Sequence, residues 1–261
     1  MTIREKRRGR GAIYRSMRNA VRRGPAGATG PARSDEIRMS RPNEIEPMNR
    51  TVLVAGSHGG VGQHVTELLG EREGIARAMV RDESQVDAMA DLGGDPVVAD
   101  LTGDVDHAVE GCDAIVFAAG SGGDDVYGVD RDGAIRLIDA AEAAGVDRFV
   151  MLSSMGADDP EAGPDALEDY LIAKAEADEY LRQSDLAHTI VRPGELTTES
   201  GTGEIRAAGD GLELTDGDIP REDVARTLVA TLERDDLVGE TFEILGGDEP
   251  IDAALERVAS R

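Results

Sequence analysis

Residues 51–62 read TVLVAGSHGGVG. A short β-branched and aliphatic run, Thr51–Ala55, leads into Gly56, Gly59 and Gly62. Helical spacing follows, with Val61, Val65, Leu68 and Leu69 on one face. Strand, glycine turn and helix in this order open a βαβ unit. The glycines let the backbone turn tightly and approach a pyrophosphate, and the helix N-terminus presents free N–H groups to that anion. The spacing is GxxGxxG rather than GxGxxG. A glycine triplet alone is weak; its place between a strand and a helix makes it a dinucleotide turn. Gly56, Ser57, His58, Gly59, Gly60, Val61 and Gly62 are therefore the candidate phosphate-binding residues, with His58 read as a solvated loop side chain rather than a catalyst.

The alternation continues outward from this turn. Strands are expected at Ile75–Val80, Pro96–Ala99, Ala114–Ala118, Phe149–Leu152 and His188–Val191. Helices are expected at Glu83–Leu92, Val105–Glu110, Gly128–Ala144 and Leu167–Gln183. Near-continuous apolar strands separated by helices indicate a parallel sheet covered on both faces, a Rossmann-like doubly wound α/β fold. After Pro193 the pattern changes. Glu204–Ala208 and Leu212–Leu214 flank glycines and are expected to form a small hairpin, followed by a helix at Arg221–Glu233, a strand at Thr241–Leu245 and a closing helix at Ile251–Val258. Residues 194–261 are expected to form a small C-terminal substrate-capping region of a single domain spanning 48–261.

The end of the second strand selects the cofactor's ribose. An Asp or Glu there would accept from the 2′-hydroxyl of NAD. Here the strand ends Met79-Val80-Arg81, and a guanidinium suits a 2′-phosphate, so NADP is favoured with NAD as the alternative. Asp82, next in line, argues the other way. Asp100 and Leu101, ending strand three, would flank the adenine. Ala118, Ala119 and Gly120, ending strand four, would let the cofactor pass close to the backbone, and Pro193 and Gly194 would turn the chain against the nicotinamide.

Charge separates the chain into two parts. Residues 1–47 hold 12 of the 28 basic residues and 5 of the 53 acidic ones, leaving a net charge of −32 on the remainder. Such a field repels nucleic acid and anionic membrane and destabilises the fold unless salt screens it. With lysine almost absent, the body reads as adapted to a high-salt cytoplasm such as a halophilic archaeon's. The basic stretch 1–47, rich in Arg, Gly and Pro, is expected to be disordered. It lacks the apolar core of a secretory signal and could serve as a nucleic-acid arm, but the abrupt charge reversal favours translation starting at Met48. The single cysteine, Cys112, rules out an internal disulfide framework and fits a reducing cytoplasm, and no apolar run reaches membrane-spanning length. The four histidines are scattered, so no metal site is expected.

Tyr170-Leu-Ile-Ala-Lys174 places a phenol and an ammonium on one helix face. A phenol exchanges protons poorly at neutral pH unless a nearby cation favours its ionised form. In a chain with 26 arginines, Lys174 is the only lysine after Lys6, so a compact, reorientable donor stands where the composition elsewhere supplies Arg. Strand five ends Leu152-Ser153-Ser154, at the edge where open α/β sheets bind ligands. A hydroxyl there could orient a substrate carbonyl and stabilise a developing alkoxide; Ser154 is preferred to Ser153.

Together, VLVAGSHGGVGQHVTELL (52–69), AMVRD (78–82), GVDRFVMLSSMGA (145–157), YLIAKAEADEYLRQSDLAHTIVRPGELT (170–197) and IPREDVART (219–227) resemble an atypical short-chain dehydrogenase/reductase of the NAD(P)H-binding, epimerase/dehydratase-like group, from about Arg50 to the C-terminus. The resemblance implies a Ser–Tyr–Lys site at Ser154, Tyr170 and Lys174, and hydride transfer between NADPH and a small carbonyl, quinone or alcohol. Only 67 residues follow Gly194, too few for the large substrate lobe of sugar-nucleotide epimerases. Two alternatives stand beside the oxidoreductase: a non-catalytic NmrA-like sensor, and an epimerase or dehydratase. The expected partner is a small-molecule substrate, with no nucleic acid and no membrane. Substrate identity and oligomeric state stay open.

Overall fold

A computed structural model describes residues 50–212 and 217–261. The expectations for 1–47, for a start at Met48 and for Leu214 lie outside the described residues. Strand β1 (Arg50–Ala55) pairs in parallel with β2 (Gly74–Val80) on one side and β4 (Ala114–Phe117) on the other. Strand β3 (Asp95–Val98) extends the sheet beyond β2; β5 (Arg148–Leu152), β6 (Ala187–Pro193) and β10 (Thr241–Gly246) extend it beyond β4, all in parallel. Two antiparallel strands, β8 (Glu204–Ala208) and β11 (Glu249–Pro250), finish that edge. The order is β11-β8-β10-β6-β5-β4-β1-β2-β3. Strand order reverses between β1 and β4, which opens a crevice beyond their carboxyl ends.

Alternate side chains of each strand enter opposite layers, because the side-chain period of a strand is two. Val52 and Val54 pack with Val65 and Leu69 of helix α1 (Gly62–Gly70), Val224 and Leu228 of α6 (Arg221–Thr231) and Leu255 of α7 (Ile251–Ala259). Leu53 and Ala55 point the other way, into a layer with Leu137 and Ile138 of α4 (Asp132–Ala144) and Leu181 of α5 (Glu168–Arg182). The aromatics of the core, Phe117, Phe149 and Phe242, are fully buried. Short helices α2 (Val86–Asp91) and α3 (Asp106–Val109) complete the crossovers. Cys112 is buried just before β4, and burial pushes its thiol up in pKa.

Two sequence expectations are corrected. Glu204–Ala208, expected as one arm of a small hairpin, is β8 of the main sheet, paired with β10 and β11; the expected second arm runs into residues 213–216, outside the described residues. Its alternation, with Ile205 and Ala207 buried, is that of a strand with one face on the core. A separate parallel pair, β7 (Glu195–Thr197) and β9 (Asp218–Pro220), lies outside that sheet. The expected helix from Gly128 begins instead with a π turn, Val126–Arg131, before α4. No helix among the described residues is long and apolar enough to cross a membrane.

Candidate active site

The turn after β1 fits the close approach that a dinucleotide requires. Gly56 adopts φ +84°, and a Cβ there would stand 2.5 Å from the Ala119 Cα. A Cβ on Gly62 would stand 2.0 Å from the Gly56 carbonyl oxygen, so the first turn of α1 can pack on the loop only as glycine. The Gly59 N–H donates to the Gly56 carbonyl at 2.9 Å, closing the loop. The buried Ser57 hydroxyl donates to the Met79 carbonyl at 2.8 Å and ties the turn to the end of β2. Val61 is buried under the turn, whereas His58, Gly59 and Gly60 are exposed. No side chain caps α1, and its first turn carries no acid. Uncapped N–H groups there are ready for an anion.

From this turn a cleft of about 530 Å³ runs across the sheet's carboxyl edge. Gly56, His58, Gly59, Arg81, Asp100, Leu101, Ala118, Ala119 and Gly120 all line it. Arg81 is exposed at its rim, and among the described residues its guanidinium makes no hydrogen bond or ion pair; its backbone N–H donates to Gln85 Oε1 at 3.2 Å. The Thr102 backbone N–H and hydroxyl, each at 2.8 Å, hold the Asp100 carboxyl below the usual carboxylate range, and the charges of Arg81 and Arg136 add to this. Asp82, which argued against a phosphate here, is turned to the backbone: it accepts from the Ser84 N–H at 2.8 Å and starts the next helical turn. Ser154, Tyr170, Lys174, Pro193 and Gly194 do not line this cleft.

They lie around the carboxyl ends of β4, β5 and β6. Helix α5 carries acids in its first turn and Arg182 in its last, an arrangement the helix dipole favours. Its inner face brings Lys174 to the sheet at 2% exposure. The ammonium lies 3.3 Å from the Leu152 carbonyl, 3.5 Å from the Ala119 carbonyl and 3.4 Å from Asp130 Oδ1. It stands 5.7 Å from the centre of the Tyr170 ring, one helical turn away, and 5.6 Å from that of Phe117. An ammonium has three donors. Two of them meet carbonyls at the long end of hydrogen-bond distance, while Asp130 Oδ1 faces the ammonium as a counter-charge and makes no hydrogen bond, so a better-placed hydroxyl could displace a carbonyl.

Asp130 is a functional candidate that the sequence reading missed. It is fully buried, and its other oxygen accepts from the Ser121 N–H at 3.0 Å. The π turn delivers it: the extra residue per turn re-aims the chain at the mouth of α4. Asp125 Oδ1 accepts from the Gly128 N–H at 3.0 Å to start that turn, and the Tyr127 hydroxyl donates to Asp169 Oδ1 at 3.0 Å, joining it to α5. The sequence signal was an acid where a helix was expected to face the core.

The two serines diverge. Ser153 is buried and donates to Asp178 Oδ2 at 2.9 Å, an oxygen that also accepts from Arg192 Nε and Nη2 at 3.1 and 3.0 Å. Burial pushes the Asp178 carboxyl up in pKa, against the opposing pull of Arg192. Ser154 is half-buried and donates only along the chain, to the Met155 carbonyl at 3.1 Å. Its hydroxyl is the one a ligand can recruit. Pro193 and Gly194 are buried; the Met155 N–H donates to the Pro193 carbonyl and the Gly194 N–H to the Ile244 carbonyl, so they brace β6 between its neighbours. Across the sheet Glu243 pairs in register with Arg192, and burial pushes its carboxyl up, opposed by the Leu212 N–H. Among the described residues no group of three or more His, Cys, Asp or Glu is placed to hold a metal ion.

Comparison with known proteins identifies the family and the fold. Residues 56–235 match the NAD(P)H-binding family. An uncharacterized sugar epimerase of Bacillus subtilis, YhfK, is 40% identical over 215 residues, which are 79% of this chain and 99% of that protein. A Bacillus halodurans structure, described provisionally as an NAD-dependent epimerase/dehydratase, superposes with a TM-score of 0.77 at 39% identity, covering 80% of this chain and all of that one. The oxidoreductase ylbE from Lactococcus lactis superposes at 0.74 with 32% identity, covering 81% and 97%.

Proposed function

Because the chain belongs to the NAD(P)H-binding family, we propose that it is an NADP-dependent oxidoreductase of the short-chain dehydrogenase/reductase kind, acting on a small carbonyl, quinone or alcohol. The observation that carries this reading is the Tyr170–Lys174 pair: a buried ammonium beneath a phenol ring, anchored to the ends of β4 and β5 next to the glycine turn. The bound nicotinamide supplies the hydride. Tyr170 Oη gives the proton to the substrate oxygen, the positive charge of Lys174 favours the phenolate left behind, and Ser154 Oγ donates to the same oxygen. Lys174 would also hold the nicotinamide ribose, giving up a carbonyl acceptor for a ribose hydroxyl. Asp130 is a positioning residue that keeps the ammonium under Tyr170. The guanidinium of Arg81, which makes no ion pair among the described residues and whose neighbour Asp82 is turned to the Ser84 N–H, favours the 2′-phosphate and hence NADPH over NADH.

A Tyr170→Phe variant tests the reading. Turnover with NADPH should fall at least about a hundredfold across a carbonyl and quinone panel, while the NADPH dissociation constant stays within about twofold. Full turnover by the variant removes Tyr170 as proton donor. NADPH binding by the wild type without oxidation across the panel favours a sensor. The relatives' names favour a second reading, a sugar-nucleotide epimerase, which predicts tightly retained NAD and activity on a nucleotide sugar. Against it, Glu204–Ala259 supplies three strands of the main sheet and the helices α6 and α7 rather than a separate substrate lobe.

A further inference from the structure

We infer that Arg221, the first residue of α6, is a clamp on the bridging phosphates of the bound dinucleotide, closing over the glycine turn at Gly60. The inference rests on the NAD(P)H-binding reading and adds a residue to it. A Cβ on Gly60 would stand 2.8 Å from Arg221 Cδ and 2.9 Å from Nε, so the arginine stem lies directly on the phosphate turn. Gly60 is exposed and immediately precedes Val61, the N-cap of α1.

The placement of this cation makes little sense without an anion. Arg221 occupies the N-terminal position of its own helix, the positive end of the helix dipole, where a cation is disfavoured. It also lies beside the uncapped N-terminus of α1, a second positive end. Acids are close in sequence, but they are engaged elsewhere. Glu222 accepts from the Gly201 N–H and pairs with Arg226; Asp223 accepts from the Thr202 and Gly203 N–H groups and pairs with Arg226 at 2.8 Å. Among the described residues Arg221 has no ion pair or hydrogen bond, in a chain with 53 acidic residues. Elsewhere Arg72, Arg131, Arg192, Arg226, Arg234 and Arg257 each answer a carboxylate. Two helix N-termini and an unanswered guanidinium converge where a pyrophosphate would lie. Departure from local electrostatic preference of this kind is characteristic of a ligand site. The glycine at residue 60 then has a reason of its own, since any side chain there would displace Arg221 from the turn.

Titration of the full chain with NADPH, followed by nicotinamide fluorescence, tests this with two variants. Arg221→Met keeps the aliphatic stem on Gly60 and removes the charge; Arg221→Lys keeps a charge without the fork. The expected result is a loss of NADPH affinity of about tenfold or more in R221M, a smaller loss in R221K, and a melting temperature without cofactor unchanged in both. NADPH binding by R221M within twofold of wild type overturns the inference, as does R221K falling as far as R221M, since charge would then not matter. No dinucleotide binding by the wild type overturns the cofactor reading itself, an outcome separate from any difference among the variants.

Discussion

Ser153 and Ser154 are adjacent in the chain, yet one donates to a buried carboxylate and the other only to the next residue's carbonyl. Ser154→Ala should lower turnover about a hundredfold or more with little change in melting temperature, as loss of a donor to a developing oxyanion does. Ser153→Ala removes a hydrogen bond from the buried Asp178 and should cost about 1–3 kcal/mol of stability with a modest effect on turnover. Turnover abolished by the Ser153 change at unaltered stability reverses the assignment. Glu243 gives a pH-dependent case. Its carboxyl is raised by burial, so the folded state prefers it protonated; the stability this confers is complete below the unfolded value and is lost as pH rises through the folded one. Glu243→Gln should therefore melt higher than wild type at neutral pH, and the difference should shrink as pH falls towards about 4. A difference independent of pH rules out the burial penalty. At this scale the sequence showed Tyr170 and Lys174, because a separation of four is visible in the chain itself. Asp130, which lies 44 residues from the lysine it pairs with, was not visible, because nothing local marks a partner across a fold.

At the junction of β1, its turn and α1 the backbone leaves no room for a Cβ at Gly56 or Gly62. Gly62→Ala places a methyl group against the Gly56 carbonyl, and backbone can yield only by moving the whole helix end. The expected cost is about 1–3 kcal/mol in stability, a melting temperature lower by several degrees and a parallel loss of NADPH affinity. Wild-type affinity in this variant would show that the turn tolerates displacement. The strands from β1 to β6 were legible because they are short apolar runs bounded by turn residues; β4 and β5 are buried on both faces, whereas β3, at the sheet edge, is not. The C-terminal strands were less so. Strand β8 alternates like one arm of a hairpin, and periodicity records that a face is buried without saying which strand lies beside it; β8 finds its partners in β10 and β11, dozens of residues downstream. The π turn was also hidden, since its apolar spacing passes for that of the α-helix it precedes.

For the whole molecule, the decisive quantity is a net charge of −25, steeper still beyond residue 47. Many of the arginines are already committed to ion pairs and carbonyls, which leaves a large surplus of carboxylates at the surface to repel one another. Raising salt from about 0.1 M to 1 M shortens the screening length from about 10 Å to about 3 Å. Melting temperature should climb across that range. A flat or falling curve would show that self-repulsion does not limit stability. The same composition has a chemical consequence. Among the described residues Lys174 is the only primary amine on a side chain, and it is shut in behind Asp130 and the Tyr170 ring. An acylating reagent applied to this part of the chain has a single lysine to find, and can reach it only when the structure parts. The rate at which that amine is modified becomes a clock for the opening of the fold around Lys174, and the slowing of the clock by a ligand measures how firmly the ligand holds it shut.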